Sequence, residues 1–348
     1  MIENKPSRTE LSDLGEFGLI NAIAKNIKLK HSSSIRGIGD DAAVVNNAGR
    51  LTIISTDMLL ENIHFDLSYI PLKHLGYKAV TVNLSDIYAM NAIPKQILVS
   101  LAFSNRFSLE AIEELYEGIS LACDVYGIDL IGGDTSSTVH GLIISVTAIG
   151  EAEKEDLVYR DGAKETDLIC VTGDLGAAFI GLQLLEREKR IFLDNPSIQP
   201  DLGGNDYILE RQLKPEAQQE IIRILKQIGV KPTSMIDISD GLSSELFHIC
   251  QQSNVGCTIY EDKIPIDPQT YALAQEFNLD PTVCALSGGE DYELLFTIAI
   301  SDYEKVRTVM DVSLIGHVNH VSEGKNLISS SGSSVELKAQ GWNAFPKE

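Results

Sequence analysis

Short acidic turns that contain glycine or serine recur along the whole chain, and each lies beside an apolar segment. They are Gly39-Asp40-Asp41, Ser55-Thr56-Asp57, Asn83-Leu84-Ser85-Asp86, Gly132-Gly133-Asp134-Thr135, Gly173-Asp174-Leu175-Gly176, Asp237-Ile238-Ser239-Asp240-Gly241 and Ser287-Gly288-Gly289-Glu290-Asp291. A carboxylate beside a buried strand is unfavourable unless a counter-charge accompanies it. An Asx turn or a helix N-cap explains any one of these turns equally well. Their repetition favours a fold that gathers strand ends around one cation-binding cleft.

The charge balance narrows the possible partners. The 348 residues include 28 Lys+Arg and 50 Asp+Glu, which gives a net charge of −22. Nucleic acids and anionic membrane surfaces bind to basic faces, so we expect neither as a partner. A hydrophobic fraction of 44% is typical of a soluble globular chain, and the length suggests roughly two or three domains.

The cysteines and the N-terminus indicate the cellular compartment. The five cysteines are scattered and form no CxxC pair, and residues 1–10 are polar, unlike a secretory signal. No apolar stretch is long enough to span a bilayer. We therefore expect buried free thiols and a cytoplasmic location.

Apolar segments alternate with helical periodicities and predict two successive α/β modules. The predicted helices cover 14–27, 72–90, 108–126, 177–188, 215–228 and 242–252, and the predicted strands cover 51–55, 97–103, 142–149, 168–172, 234–238 and 290–300. Thr56-Asp57 and Gly132–Thr135 are predicted as turns that follow strands, and the polar residues 190–213 as a loop. The composition changes at the charged segment 151–156, which we take as the start of a C-terminal domain over 151–348. Before it lie a tail over 1–12 and an N-terminal domain over 13–150.

The acidic turns carry hard oxygen ligands. Asp carboxylates with Ser and Thr hydroxyls suit Mg²⁺ rather than Zn²⁺, and the sequence has no HExxH motif and no Cys/His pair at ligand spacing. It also has no GxxxxGK[ST], GxGxxG, HRD, DFG or GxSxG motif. If the chain handles nucleotide phosphates, it does so with carboxylate-held metals. Arg160 is a candidate phosphate partner, since guanidinium pairs well with phosphate oxygens.

The ordered set of motifs resembles the thiamine-monophosphate kinases, within the aminoimidazole ribonucleotide synthetase superfamily. The matching segments are Gly39–Asp41, Ser55–Asp57, Asn62–Phe65, Asn83–Asp86, Gly132–Thr135, Arg160–Ala163, Asp237–Leu242 and Ser287–Leu294. The resemblance extends from Gly15-Glu16-Phe17 to Gly341-Trp342. Each tetrapeptide is a weak signal, but their order and number are specific.

The resemblance implies a role for each matching residue. Its implied metal ligands are Asp41, Ser55, Thr56, Asp57, Asp86, Asp134, Asp237 and Asp240, of which Asp57, Asp86, Asp134 and Asp237 are the implied catalytic residues. It implies that Gly133, Arg160 and Ser239 bind ATP. It implies that His64, Glu290 and Trp342 face the thiamine phosphate, although His64 and Trp342 taken alone are typical of ordinary packing residues.

The resemblance also implies an activity and an architecture. The activity is ATP-dependent phosphorylation of thiamine monophosphate to thiamine diphosphate, assisted by several Mg²⁺ ions. We expect direct in-line transfer, because the acceptor phosphate is already ionised near pH 7, its second pKa being about 6. The implied architecture is a two-domain α/β (α+β) fold of the aminoimidazole ribonucleotide synthetase type, in a homodimer whose N-terminal domains form a β-barrel.

Two other functions remain open from the sequence. One is another ATP-dependent enzyme of the superfamily, such as aminoimidazole ribonucleotide synthetase, and the other is a non-catalytic module that binds Mg²⁺ and nucleotide. A selenophosphate synthetase needs a reactive residue near the N-terminus, whereas the first cysteine is Cys123. A hydrogenase-maturation relative would end in a cysteine, whereas this chain ends in Glu348.

Overall fold

A computed structural model describes residues 32–36, 39–47 and 49–338 of the chain. The tail predicted over 1–12, the helix predicted over 14–27 and Trp342 lie outside the described residues. No helix in the described part is long and apolar enough to cross a membrane.

Strands and helices alternate through most of this range. The strands are β1 (Ser34–Arg36), β2 (Ala43–Asn46), β3 (Leu51–Leu60), β4 (Ile93–Phe103), β5 (Asp129–Ser137), β6 (Ile143–Ala152), β7 (Leu168–Thr172), β8 (Ser234–Asp237), β9 (Gly256–Tyr260), β10 (Leu294–Ile298), β11 (Val312–Asn319), β12 (Lys325–Ile328) and β13 (Ser334–Glu336). The helices are α1 (Leu72–Ala89), α2 (Leu109–Tyr126), α3 (Ala177–Asp194), α4 (Asp206–Leu213), α5 (Gln219–Gln227), α6 (Leu242–Ser253), α7 (Pro268–Glu276), α8 (Pro281–Ser287) and α9 (Tyr303–Val306).

The first sheet has the strand order β1-β2-β3-β6-β4-β5, and all its pairs are antiparallel except β4 with β5. Strand β3 pairs with β6 over its whole length, so Thr56 and Asp57 lie inside a strand and the predicted turn there is wrong. Residues Gly132–Thr135 likewise pair with β4 as part of β5, where a turn was predicted. In both places, pairing with a neighbouring strand outweighs the local preference of Gly, Asp and Thr for turns.

The second sheet has the order β13-β12-β9-β11-β7-β10-β8, with β12 and β9 as its parallel pair. Strands β7, β8 and β10 are almost fully buried, which explains their continuous apolar sequences. Strand β10 begins at Leu294, later than predicted, because Glu290–Glu293 form an irregular segment before it.

Helix α1 lies at the centre of the fold. Most of its side chains are buried, and it contacts β3, β4 and β6 of the first sheet, β8 of the second sheet, and α2. A helix that is covered on most sides needs apolar residues around its circumference, and α1 has them at Leu75, Val80, Leu84 and Ile87. Several polar side chains in the middle of the helix, at Lys78, Thr81, Asn83 and Ser85, are therefore buried as well.

The predicted loop over 190–213 is wrong at both ends. Helix α3 continues to Asp194 and helix α4 begins at Asp206. Ile208 of α4 is fully buried against α3 beside Gly181, where an added Cβ would lie 2.6 Å from the Ile208 carbonyl oxygen. Tertiary packing of its buried residues, Ile208 and Gln212, rather than helix propensity holds this short polar helix in place.

The close packing of α1 on α2 generates a stability prediction. A Cβ added at Gly76 would lie 2.0 Å from the Leu115 carbonyl oxygen, so the two backbones must separate in Gly76→Ala. We expect the free energy of unfolding, measured by urea denaturation, to fall by at least about 1–3 kcal/mol in the variant. Gly203→Ala is the matched control, because its Cβ would meet nothing closer than 3.8 Å. Equal stability of the two variants would contradict the contact.

Candidate active site

A cavity of about 1570 Å³ opens between the two sheets beside α1 and α6. Most of the site residues implied by the resemblance line it: Asp41, Ser55, Thr56, Asp57, His64, Asp86, Arg160, Asp237, Ser239, Asp240 and Glu290. They come from β3, α1, β8 and several connecting segments, so the fold gathers acidic segments that are far apart in sequence. Gly133 and Asp134 are not among the residues that line it.

Three carboxylates meet in the wall of this cavity. One ligand oxygen from each of Asp41, Asp86 and Asp237 lies within 4.8 Å of the others. Asp86 is on the last turn of α1, Asp237 ends β8, and Asp41 precedes β2. Because carboxylate oxygens are the preferred ligands of Mg²⁺ in proteins, this acid triad could hold a divalent cation.

Burial makes the acid triad electrostatically unfavourable without a cation. Burial and the nearby carboxylates of Asp57, Asp237 and Asp41 raise the pKa of Asp86 well above its usual range. Burial and the Asp41 carboxylate raise the pKa of Asp237 to about 7. Desolvation and like charge act in the same direction on an acid, and a bound cation would oppose both.

Hydroxyl groups fix the orientation of two of these acids. Ser55 Oγ on β3 donates a hydrogen bond to Asp86 Oδ2, and Ser85 Oγ donates to Asp237 Oδ2 at 2.6 Å. Asn83 of α1 accepts a hydrogen bond from the backbone N–H of Asp57 at 3.0 Å. The Asn-Leu-Ser-Asp segment is therefore the turn of helix that joins both sheets at the site.

Arg160 is the cation nearest the acid triad among the described residues. Its Nε and Nη2 donate to the two carboxylate oxygens of Asp41 at 2.8 and 2.5 Å, and its Nε is 3.9 Å from Asp40 Oδ1. A guanidinium carries more donors than this pair uses. Arg160 can therefore also contact an anionic ligand in the cavity.

The segment before α6 forms the floor of the cavity next to Asp237. Gly241 has φ +110°, and a Cβ there would lie 2.9 Å from the Leu286 carbonyl oxygen, so the turn requires glycine. The backbone N–H of Asp240 donates to buried Glu245 Oε1 at 3.1 Å. His248 of α6 also lines the cavity, and burial lowers its pKa to about 4. Sequence patterns did not mark His248, because it matches no motif.

His64 and Glu290 lie together at another part of the wall. The Leu60 backbone N–H donates to His64 Nδ1 at 3.0 Å, so in the neutral imidazole Nε2 carries the hydrogen. Burial lowers the pKa of His64, and the Glu290 carboxylate opposes that shift. Glu290 contacts Lys78 of α1 and Gln212 of α4, two residues without any motif that sequence reasoning missed.

Strand β5 holds Gly133 and Asp134 away from the acid triad. Asp134 is exposed and lies opposite Ser100 on β4, and both β4 and β6 separate it from β3. A Cβ at Gly133 would lie 1.8 Å from the Val99 carbonyl oxygen, so glycine is needed there for strand pairing. Within one chain these two residues do not join the cavity.

Comparisons with known proteins define the class first. Residues 39–152, which form most of the first sheet and its two helices, match the family described as AIR synthase related protein, N-terminal domain. The chain is 36% identical over 341 residues to the thiamine-monophosphate kinase of Bacillus subtilis (strain 168), covering 95% of this chain and 100% of that protein. It is 35% identical over 336 residues to the thiamine-monophosphate kinase of Aquifex aeolicus (strain VF5), covering 96% of this chain and 99% of that protein.

The chain therefore belongs to the thiamine-monophosphate kinase family, which is a family of enzymes. The solved structure of AaThiL complexed with AMPPCP and TMP superposes with a TM-score of 0.81 at 32% identity, over 97% of this chain and 99% of that one. The predicted family and the predicted α/β (α+β) fold class of the aminoimidazole ribonucleotide synthetase type are confirmed. The first sheet is open in the described part of one chain, so the dimeric barrel stays a prediction.

The raised pKa of Asp237 generates a prediction of stability against pH. The pKa of Asp237 is about 7 in the folded protein and about 4 in the unfolded chain. Its contribution to the free energy of unfolding is therefore fully present below pH 4 and is lost as the pH rises through 7. We expect Asp237→Asn, without metal, to raise Tm by roughly 2–4 °C at pH 8 and little at pH 5. Mg²⁺ is expected to raise Tm of the wild type at pH 8 and to lose most of this effect in the variant.

Asp262→Asn is the control for this experiment, because Asp262 is an exposed acid in a segment that does not line the cavity. Differential scanning calorimetry on all three proteins gives the comparison. A lower Tm for Asp237→Asn at pH 8, or an undiminished Mg²⁺ effect, would show that the acid triad is not a repulsive cation site.

Proposed function

We propose that this enzyme transfers the γ-phosphoryl group of ATP to thiamine monophosphate and forms thiamine diphosphate. The observation that carries the proposal is the acid triad, in which Asp41 and Asp237 are buried and Asp86 is half-buried, in one cavity with His64 and Glu290. The family named for this reaction supports it, as does the similarity to AaThiL complexed with AMPPCP and TMP.

The donor set of the cavity fits Mg²⁺. The acid triad would hold it, with the neighbouring Ser55 and Thr56 hydroxyls and the Asp57 and Asp240 carboxylates as further hard oxygen ligands. When bound, Mg²⁺ would neutralise the phosphate charges that otherwise keep donor and acceptor apart. We propose several ions rather than one, because the oxygen ligands exceed the coordination of a single Mg²⁺.

The remaining work of the chain is to position two phosphates. Arg160, with guanidinium donors beyond its Asp41 pair, suits an ATP phosphate, and Ser239 lines the adjacent floor of the cavity. Phosphoryl transfer through a loose transition state needs little covalent chemistry from the protein, and the acceptor phosphate is already ionised. We therefore propose direct in-line transfer without a phosphoenzyme and without a general base.

We further infer that the protein is a homodimer joined through its N-terminal domain, which we propose spans 13–150. Strand β5 is a sheet edge whose residues are all exposed, including the apolar Leu130 and Ile131. An exposed apolar edge strand is a site of pairing with another chain. A barrel closed by two such sheets would cover this edge, and it would place Gly133 and Asp134 at the subunit boundary. The buried free cysteines fit a reducing cytoplasm as the site of action.

Asp86 generates the first functional prediction. Incubation with Mg²⁺, ATP and thiamine monophosphate should yield thiamine diphosphate, measured by chromatography. Asp86→Asn should lower kcat by roughly a thousandfold, since it removes a charge at the centre of the acid triad. Asp262→Asn is the charge-matched control and should keep wild-type activity.

Two results would contradict the proposal. Wild-type activity in Asp86→Asn would remove the shared-metal role of the acid triad. ATP that is bound but not consumed by the wild type, with no thiamine diphosphate formed, would favour a nucleotide-binding module over a kinase.

The edge strand generates a prediction of oligomeric state. Wild-type protein should elute with the mass of two chains in size-exclusion chromatography with light scattering. Ile131→Glu, at a side chain that is 57% exposed, should shift the protein towards a single chain without unfolding it. Val139→Glu, an exposed apolar position just beyond β5, is the control. A wild-type monomer, or an unchanged dimer in Ile131→Glu, would contradict assembly through β5.

A further inference from the structure

Lys78 is a buried ammonium group in the middle of helix α1. The residue is 1% exposed, and its Nζ contacts Glu290 Oε1 at 3.0 Å and the Gln212 carbonyl oxygen at 3.0 Å. A charge in such a position is very unfavourable unless it is paired. Lys78 is therefore held in place by partners that both line the cavity.

Glu290 is held from two sides. Lys78 contacts Oε1, and Gln212 Nε2 donates to Oε2 at 2.9 Å. The backbone of Glu290 has φ +59°, which is unfavourable for a residue with a Cβ, and its N–H donates to the Ser239 carbonyl oxygen at 2.7 Å. Strained backbone persists only where the surroundings enforce it. The carboxylate thus stands at one fixed place on the cavity wall.

The Gln212 side-chain amide has a defined orientation beside Glu290. Because a carboxylate only accepts, Nε2 must face Glu290 and Oε1 must point elsewhere. Gln212 is 5% exposed, and its Oε1 is buried without a hydrogen-bond partner among the described residues. Gln212 therefore acts on the cavity through the hydrogen bond that its Nε2 donates to Glu290.

The other groups at this end of the cavity favour a cationic organic ligand. Glu186 and Asp66 add carboxylates that pair with Lys189, and Tyr69 donates to Glu186 Oε1 at 3.1 Å. Together with Glu290 these make three carboxylates, whereas Lys78 and Lys189 are two ammonium groups, so the net charge of this part of the wall is negative. Lys189 Nζ already lies over the Tyr69 ring, 5.8 Å from its centroid, so it is the net negative charge of the wall that favours an organic cation.

We propose that Lys78 is a positioning residue for recognition of the cationic, amine-bearing part of the phosphate substrate. It fixes Glu290 together with Gln212, and Glu290 presents its carboxylate to that part. The inference rests on the proposed function, because thiamine monophosphate supplies both the cation and the amine. It gives α4, which lies within the segment 190–213 predicted as a loop, a role in substrate choice.

The test compares a ligand with and without its phosphate. Thiamine monophosphate and thiamine are each titrated calorimetrically into full-length wild type, Lys78→Met, Glu290→Gln and the double variant, all with Mg²⁺. Lys78→Met should weaken both ligands by the same factor, about ten- to a hundredfold. The double variant should bind no more weakly than the weaker single variant, because Lys78 acts through Glu290.

Two matched variants complete the design. Lys73→Met removes an exposed ammonium from the same helix, where it pairs with Glu117 at 3.4 Å, and should leave both affinities unchanged. Gln212→Met keeps the side-chain length, removes the amide and should weaken both ligands by about threefold to tenfold. It also carries the test if Lys78→Met does not fold, as judged by thermal unfolding.

Each contrary result has a distinct meaning. A loss confined to thiamine monophosphate would assign Lys78 to the substrate phosphate, and additive losses in the double variant would separate it from Glu290. Unchanged affinities in Lys78→Met would overturn the inference about Lys78. Where Lys78→Met does not fold, unchanged affinities in Gln212→Met would do the same. In either case the proposed function would stand as long as the wild type phosphorylates thiamine monophosphate. A wild type that neither binds nor phosphorylates thiamine monophosphate would overturn the proposed function together with it.

Discussion

The repulsion among three carboxylates that the fold holds close together in the cavity wall is the constraint on which the rest of the structure depends. Asp41, Asp86 and Asp237 come from separate parts of the chain, and each would be more stable in water. The fold keeps them together by packing α1 against both sheets, by the hydroxyl donors of Ser55 and Ser85, and by the bidentate pair with Arg160. In the function proposed above, a bound cation and phosphates would restore the stability that the fold gives up here.

A second charge arrangement divides the cavity into two chemically different ends. The acid triad and Arg160 suit metal and phosphate, whereas Glu290 presents a fixed carboxylate beside His64 and is held there by Lys78 and Gln212. Both ends are anchored on α1, since Asp86 and Lys78 lie two turns apart on that helix. In the proposed reaction, one rigid helix would therefore set the distance between the reacting phosphates and the organic part of the substrate, which is the positioning that phosphoryl transfer requires.

Local sequence signals predicted elements well where packing and propensity agree. Helix α1 was expected over 72–90 and spans Leu72–Ala89, and β7 was predicted with its observed bounds. Local signals gave wrong predictions at Thr56-Asp57 and Gly132–Thr135, where strand pairing overrides turn-forming residues. They were also wrong at 190–213, where a single buried face stabilises a polar helix. Lys78 was not predicted as a site residue, because a lysine without a motif in a helix is expected to face solvent until the helix is known to be covered.

The sequence by itself determined the family, the α/β class and most of the residues that line the cavity, because the order of short acidic motifs is specific even when each motif is weak. Only the tertiary structure decided which acids share one site. It joined Asp41, Asp86 and Asp237, kept Asp134 on an exposed edge strand, and paired Glu290 with Lys78 and Gln212. Motifs record which residue types are present, whereas mutual distance and burial, which set charge and chemistry, arise from contacts between segments that the sequence keeps far apart.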